Sequence, residues 1–426
     1  MFRVIFFAAV TLWAVAACGN ASENAATANA ASGSASALTS QENAAAVQPV
    51  DYLSFAQGAV PVLIGGAANA LKVGMDQALK VIDGDEGGFS ATPKPGADDS
   101  AIWFIYRLPA ATIFTHFSVP NILETPSPSQ TFFREIEVFG GNDGSDGEFV
   151  PLGAATLATH ENRGERTFFP ANEERAVTWV KVQLAGGIKV ERERSYFEFS
   201  ELIGEGRQEP VALSTEFTGK WRNRGMSLEL VQEGSLVSGC YDGTGDLEGA
   251  VNGNILRATG THRTSGVRSL FVLTVVDGNV TGVRSTNGAP FRTYASDADA
   301  NLVTECSSAA VEPPGCGDTL YGIRFDYDSA AIRPESYDVI NSLRTGLQAS
   351  AGSAIIIAGH TSSEGSDAYN LDLSRRRAEA VVATLKERGA GNLNISARGA
   401  GEAEPIADNS SETGRSLNRR VEITCQ

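Results

Sequence analysis

The chain has 426 residues, with 34 Lys and Arg against 51 Asp and Glu, for a formal net charge of −17. That length provides for two to four domains at roughly 100–200 residues each, and a hydrophobic fraction of 42% with 20% charged residues excludes wholesale disorder. The acid excess argues against a general nucleic-acid binder and against electrostatic docking on anionic lipid, and four His with five scattered Cys leave little material for a zinc cluster.

No apolar run reaches the ~18 residues of a membrane span, so membrane attachment requires another device. Residues 1–18 contain one basic residue, Arg3, then an apolar stretch from Val4 to Ala17, the layout of an export signal. The stretch ends in Val15-Ala16-Ala17-Cys18, which resembles the bacterial lipobox. The resemblance implies cleavage before Cys18, acylation of Cys18 and, with Gly19 behind it, retention at the outer membrane. The alternative is an ordinary signal peptide with a chance Cys. Several acyl chains together anchor stably where one does not. Residues 19–50 are rich in Ala, Ser and Asn and cannot repay the entropy of ordering, so a flexible tether with a coil span of roughly 30 Å is expected.

Residues 51–208 read as a β-sandwich of jelly-roll type. Strand-like runs include Ile102–Tyr106, Phe114–Val119, Glu135–Phe139, Trp179–Leu184 and Phe197–Leu202, several with the two-residue alternation of a half-buried sheet. Turn residues separate them, as in sandwiches. Val81-Ile82-Asp83-Gly84-Asp85, the strand Ile102–Leu108 and a closing strand Glu198–Ile203 together resemble a discoidin-type, galactose-binding-like domain. That resemblance implies structural calcium at Asp83 and Asp85, whose carboxylates are hard ligands; the plainer alternative is an acidic turn. It also implies glycan-binding loops at one end, here near Phe89, residues 120–130 and residues 141–148. The run Glu191-Arg192-Glu193-Arg194 reads as a solvated edge.

Residues 213–296 are expected to form a small antiparallel β-barrel or meander of six to eight short strands. Gly219-Lys220-Trp221 opens it, and Asn252-Gly253-Asn254 and Asp277-Gly278-Asn279 are hairpin signals. A spacer role is the expectation. Residues 297–315 form a linker with a stiff Pro313-Pro314 end.

Residues 316–426 change to alternating strand and helix, a two-layer α/β domain of order β-α-β-α-β-β. Gly322–Phe325 reads as the first strand and Pro334 marks a helix start. Tyr369–Arg388 reads as a long amphipathic helix with Leu371, Ala378, Val382 and Leu385 on one stripe, stopped by Gly389. Phe325-Asp326-Tyr327-Asp328-Ser329, Gly359-His360-Thr361, Tyr369-Asn370, Leu373-Ser374, Arg377-Ala378 and Asn418-Arg419-Arg420-Val421-Glu422 resemble, in order and spacing, the OmpA-like peptidoglycan-binding domain. The resemblance implies a site for diaminopimelate on the peptidoglycan stem peptide, with an Asp for the ammonium and a helix Arg, aligned with Arg377, for the carboxylate. Here Ser362 stands in the Asp position, with Glu364 and Asp367 nearby as substitute charges. The expected site is Asp326, Thr361, Ser362, Asn370, Arg377, Arg419 and Arg420. Asn370, Ser374 and Arg377 share a helix face. Arg419 and Arg420 either bind ligand or brace the fold, and His360 is expected to pack a turn.

With Cys18 assigned to lipid, Cys240, Cys306, Cys316 and Cys425 form an even set in an exported chain and allow three pairings. Cys316 and Cys425 bracket the C-terminal domain, so the expected pairs are Cys316–Cys425 and Cys240–Cys306. No nucleophile elbow, zinc motif or phosphate loop is present, and no cofactor is required. The expected protein is a non-enzymatic envelope lipoprotein joining the outer membrane to peptidoglycan. The alternative is a carbohydrate-binding adhesin or receptor that uses the sandwich, with the C-terminal domain as its anchor. Residues 316–426 carry 15 acidic and 12 basic residues, so the acidity lies mainly in the β domains, whose partner is not expected to be strongly anionic.

Overall fold

A computed structural model of the chain describes residues 50–91, 101–121, 130–158, 165–186, 196–304, 306, 311–326 and 328–426. The expectations for Cys18, the tether up to residue 49, the Glu191–Arg194 run and most of the 120–130 loop lie outside these residues. Among the described residues no helix is long and apolar enough to cross a membrane.

The first domain is a β-sandwich. Its strands are β1 (Val60–Gly66), β2 (Phe89–Ala91), β3 (Ile102–Pro120), β4 (Gln130–Phe132), β5 (Glu135–Gly141), β6 (Val150–Thr156), β7 (Arg166–Pro170), β8 (Ala176–Ala185), β9 (Tyr196–Phe199) and β10 (Ile203–Gln208), with one short helix, α1 (Met75–Lys80). The larger sheet runs β1-β3-β8-β5-β6, with β10 and β7 also on β3; β2-β9-β4 form the smaller sheet. The runs Ile102–Tyr106 and Phe114–Val119 belong to one strand, not two. Its first half pairs with β1 and β8 and its second half with β10 and β7. Pro109 falls in the register gap between Arg107 and Thr112, where a missing N–H breaks no ladder bond. The expected closing strand Glu198–Ile203 is divided. At Ser200–Leu202 the chain turns its polar groups onto other loops, Ser200 Oγ donating to Pro120 O at 2.6 Å and Glu201 Oε1 accepting from Gly84 N at 2.6 Å.

The second domain is a closed barrel of eight antiparallel strands: β11 (Gly219–Asn223), β12 (Met226–Glu233), β13 (Leu236–Tyr241), β14 (Gly245–Asn252), β15 (Ile255–His262), β16 (Arg268–Val276), β17 (Asn279–Thr286) and β18 (Arg292–Ala298). β11 closes onto β18 through Trp221 and Ala298. Phe217, Trp221, Tyr241 and Phe271 fill the interior. Trp221 Nε1 donates to Gly278 O at 2.8 Å. Asp277 and Gly278 both have positive φ (50° and 82°), as a two-residue hairpin of this hand requires.

The third domain comprises β19 (Thr319–Leu320), α2 (Tyr337–Leu347), β20 (Ala354–His360), α3 (Asp367–Leu385), β21 (Asn394–Gly401), α4 (Glu412–Asn418) and β22 (Val421–Cys425), in sheet order β19-β22-β20-β21. Three expectations are corrected. The first strand is Thr319–Leu320, and Gly322–Phe325 contributes only an isolated bridge between Phe325 and Ile332. α4 is an additional helix, capped by Ser411, whose Oγ accepts from Gly414 N at 3.1 Å. Leu371 is 52% exposed, while Leu373, Ala378, Val381, Val382 and Leu385 form the buried face of α3. Gly389, at φ 104°, ends that helix. The disulfides are Cys240–Cys306 and Cys316–Cys425, with Cα separations of 5.7 and 5.5 Å.

The three domains pack closely. Apolar side chains of the sandwich, barrel residues such as Ile255 and Val272, and Tyr321 and Leu417 form one continuous cluster. Arg257 of β15 donates to Ala56 O in the sandwich (2.6 Å) and to Ser416 Oγ of α4 (3.2 Å). Asn252 Nδ2 donates to Gly322 O (2.8 Å). The loop Asp83-Gly84 meets α4 through Glu412 N to Gly84 O (3.1 Å) and Thr413 Oγ1 to Asp83 O (2.9 Å).

Candidate functional site

All seven residues expected at the site line a single cleft of about 400 Å³, which sandwich and barrel residues also border. The elements explain the convergence. The turn after β20 presents Thr361 and Ser362, the first turn and the middle of α3 present Asn370 and Arg377, and the junction of α4 with β22 presents Arg419 and Arg420. Ser366 Oγ caps α3, and its helical rise puts Asn370 and Arg377 two turns apart on one side.

Arg377 is partly buried. Its Nε donates to Ser329 O at 3.0 Å, and its guanidinium carbon lies 4.9 Å from the Phe325 ring centre. Burial, followed by the nearby Arg419, lowers its pKa to about 10, so it stays charged at neutral pH. No carboxylate pairs with it among the described residues.

Ser362 is 4% exposed and donates to Glu364 Oε2 at 3.0 Å. Glu364 thus brings a carboxylate to the Ser362 position, whereas Asp367 sits exposed in the first turn of α3. Glu364 also approaches Arg415 and Arg419 at 3.5 Å. Arg419 bonds to Glu412, whose carboxyl burial alone would raise; Arg419 and Arg415 outweigh that and hold it below its usual range.

Asn370 is 1% exposed and donates to Glu402. Ser374 is fully buried and serves the fold: its Oγ donates to Leu371 O and accepts from Gly401 N, both at 2.9 Å. Asp326 is exposed and pairs with Arg333 at 3.2 Å. Arg420 is 4% exposed; its bonds run to Glu422 (2.6 Å) and Glu404 O (2.9 Å), which braces β22. His360 lies 3.6 Å from Glu422. Together with Arg420 it holds the Glu422 carboxyl down to about 2. Thr361 Oγ1 is buried without a hydrogen-bond partner among the described residues.

In the sandwich, Asp83 Oδ1 accepts from Asp85 N at 3.0 Å and Asp85 Oδ1 from Gly87 N at 2.9 Å, two successive side-chain turns. Burial raises Asp83 to about 7. Phe89, expected on a glycan loop, is instead 5% exposed and packs against Phe104, Phe133 and Phe199. Arg257, Arg324 and Glu412 escaped the sequence reading although all three line the cleft. Arg324 stands directly before the Phe325-Asp326 motif and could have been noticed; Arg257 lies in another domain and carries no local signal.

The OmpA family matches residues 324–419. Those residues form an OmpA-family domain. The chain is 40% identical over 104 residues to the outer-membrane lipoprotein YfiB of Pseudomonas aeruginosa, a match covering 24% of this chain and 60% of that protein. It is 33% identical over 139 residues to the peptidoglycan-binding protein ArfA of Mycobacterium tuberculosis, covering 29% and 43%. The chain thus spans less than two thirds of the curated relatives it matches. The structure of CBM32-3 from a family 31 glycoside hydrolase of Clostridium perfringens is 14% identical, with a TM-score of 0.27, over 37% of this chain and 95% of that one. The sandwich assignment here rests on its own two sheets.

Proposed function

We propose that the chain is a non-enzymatic envelope lipoprotein that binds the stem peptide of peptidoglycan through its OmpA-family domain, held at the outer membrane by lipid on Cys18. The observation that carries this reading is the pairing of charges around one cleft. Arg377 offers a desolvated guanidinium without a carboxylate partner among the described residues, and Ser362 with Glu364 offers a hydroxyl and a carboxylate in the same cleft. A guanidinium fork recognises a carboxylate in two bonds, and a carboxylate recognises an ammonium. Diaminopimelate carries both groups on one carbon. Glu364 takes the role that an Asp at Ser362 has in the family pattern, one turn of loop further on and shared with Arg415 and Arg419, so the ammonium contact is expected to be weaker.

The test is binding of the purified chain to peptidoglycan sacculi, with free diaminopimelate as competitor. Wild type should pellet with sacculi and be released by competitor. Arg377→Ala should stay in the supernatant, and undiminished pelleting of that variant would remove the site assignment. Labelling with radioactive palmitate, lost in Cys18→Ser, tests the anchor separately.

A further inference from the structure

The cleft contains cationic groups that the proposed diaminopimelate contact leaves unused. The arginines that line it fall into two sets. Arg166, Arg333, Arg415, Arg419 and Arg420 each have a carboxylate partner: Glu86, Asp326, Glu412, Glu412 and Glu422 respectively. Arg257, Arg324 and Arg377 have none among the described residues. Arg257 is 8% exposed and bonds only to neutral oxygens, Ala56 O and Ser416 Oγ. The Arg324 guanidinium, partly buried, makes no side-chain hydrogen bond or ion pair among the described residues; only its backbone is engaged, with Ser336 and Arg333. Burial lowers Arg257 to about 9 and Arg324 to about 10, and each remains protonated at neutral pH.

A desolvated charge that is not ion-paired is unfavourable until an opposite charge reaches it; Glu335 acts on Arg324 and Glu412 on Arg257 only from beyond ion-pair distance, while Arg419 repels both. Arg257 has an evident structural task, since its bonds tie the sandwich to α4. Arg324 has none. An independent feature points the same way: Thr361 Oγ1, 5% exposed and lining the same cleft, lacks a partner. One zwitterionic carbon of diaminopimelate supplies a single carboxylate, enough for Arg377 but not for the other two.

We infer that the cleft takes a ligand bearing two carboxylates, one held by Arg377 and the second by Arg324 with Arg257 behind it, so that recognition extends from the OmpA-family domain to the barrel. The inference rests on the stem-peptide reading and narrows it. The ligand is a stem peptide in which the carboxylate of the residue next to diaminopimelate is free, and amidation of that carboxylate is discriminated against. The barrel is then part of the binding site and not a spacer.

The test uses the full mature chain and two synthetic tripeptides, L-Ala-γ-D-Glu-diaminopimelate with the glutamate α-carboxylate free, and the same peptide with it amidated, both blocked as the amide at the C-terminal carboxyl so that diaminopimelate keeps only the carboxylate of its zwitterionic carbon. Calorimetric titration of wild type should give at least tenfold tighter binding of the free form, since a charge-assisted bond in a desolvated site is being removed. Arg324→Gln should bind both forms with the affinity that wild type shows for the amide, bringing the ratio near one. The Arg324 side chain has no hydrogen bond or ion pair to lose among the described residues, so this variant should melt no lower than wild type. Arg377→Ala should weaken both forms alike. Equal affinity of wild type for the two peptides, or an undiminished ratio in Arg324→Gln, overturns the inference and leaves the stem-peptide reading standing. Failure of wild type to bind either peptide overturns the stem-peptide reading itself, and this inference with it.

Discussion

Gly84 sits where the sandwich touches the OmpA-family domain, and Gly84→Ala isolates that contact. Gly84 has φ +81°, and an added Cβ would lie 2.3 Å from Glu412 Cβ and 2.4 Å from Glu412 N. Neither neighbour is a flexible side-chain end, so α4 has to move away. Left-handed backbone costs a non-glycine residue roughly 1–2 kcal/mol. Displacement of α4 also gives up two hydrogen bonds, Glu412 N to Gly84 O and Thr413 Oγ1 to Asp83 O, at about 1 kcal/mol each. The docked arrangement should lose about 3–4 kcal/mol, which is two to three orders of magnitude in its equilibrium constant. The control is Gly144→Ala. Gly144 has φ +92° but nothing within 4 Å of its added Cβ, so it carries the backbone strain without the collision. Hydrogen exchange at the amides of residues 412–419, with calorimetry, reads the outcome. Gly84→Ala should accelerate exchange in α4 and lower the first melting transition; Gly144→Ala should leave α4 protected. Wild-type protection of α4 in Gly84→Ala would refute the reasoning.

Stability should fall as pH rises from about 4 to about 7. Burial raises Asp51 and Asp83, each from 3.8 to about 7, so in that window the folded state holds protons the unfolded state has released. Each group contributes at most ~4 kcal/mol to the decline, and Asp51→Asn, which keeps an acceptor for Leu53 N and Gly204 N, should flatten the melting-temperature profile between pH 4 and 7; a rising wild-type profile would contradict this. Replacing Cys316 and Cys425 by Ser opens a bridge of sequence separation 109 and should cost about 4–5 kcal/mol on the chain-entropy account, read from the urea midpoint. Calcium should leave the melting temperature unchanged, because Asp83 and Asp85 already accept backbone N–H bonds; a calcium-dependent rise that Asp83→Asn abolishes would assign the turn to the metal instead.

The elements that could be read in the sequence are those whose burial repeats at a fixed period. β5 alternates exposed Glu135 and Glu137 with buried Ile136 and Val138, and β12 alternates its buried Met226, Leu228 and Leu230 with polar neighbours. β18 has no such period, since its run Arg292–Ala298 buries little but Ser296 and Tyr294's ring; what makes it a strand is barrel closure against β11, a long-range pairing with no local pattern. α4 was missed for a related reason. It is seven residues long and polar, and it persists because Leu417 is buried and Thr413 and Ser416 bond outward to other segments. The seven residues expected at the site could be read together because they lie on one domain at fixed spacings, and they line one cleft. Arg257 could not, because only the packing of the barrel brings it to the cleft, and Ser374, on the helix face of Asn370 and Arg377, bonds to Gly401 N of β21.

Glu412 joins the docking contact to the ligand cleft. Its backbone N–H holds Gly84, while its side chain neutralises Arg419 and Arg415. Any movement of the Gly84 loop therefore changes how fully the Arg419 charge is neutralised beside Ser362, and a ligand carboxylate held by Arg377 or Arg324, both of which feel the Arg419 charge, must act back on the same contact. By linkage the two effects are equal in free energy. Gly84→Ala should then alter affinity for the free tripeptide as well as α4 protection, and a saturating tripeptide should alter α4 protection in wild type. An affinity unchanged by Gly84→Ala, in a variant whose α4 exchange has accelerated, would show that the OmpA-family domain binds its ligand without help from the sandwich.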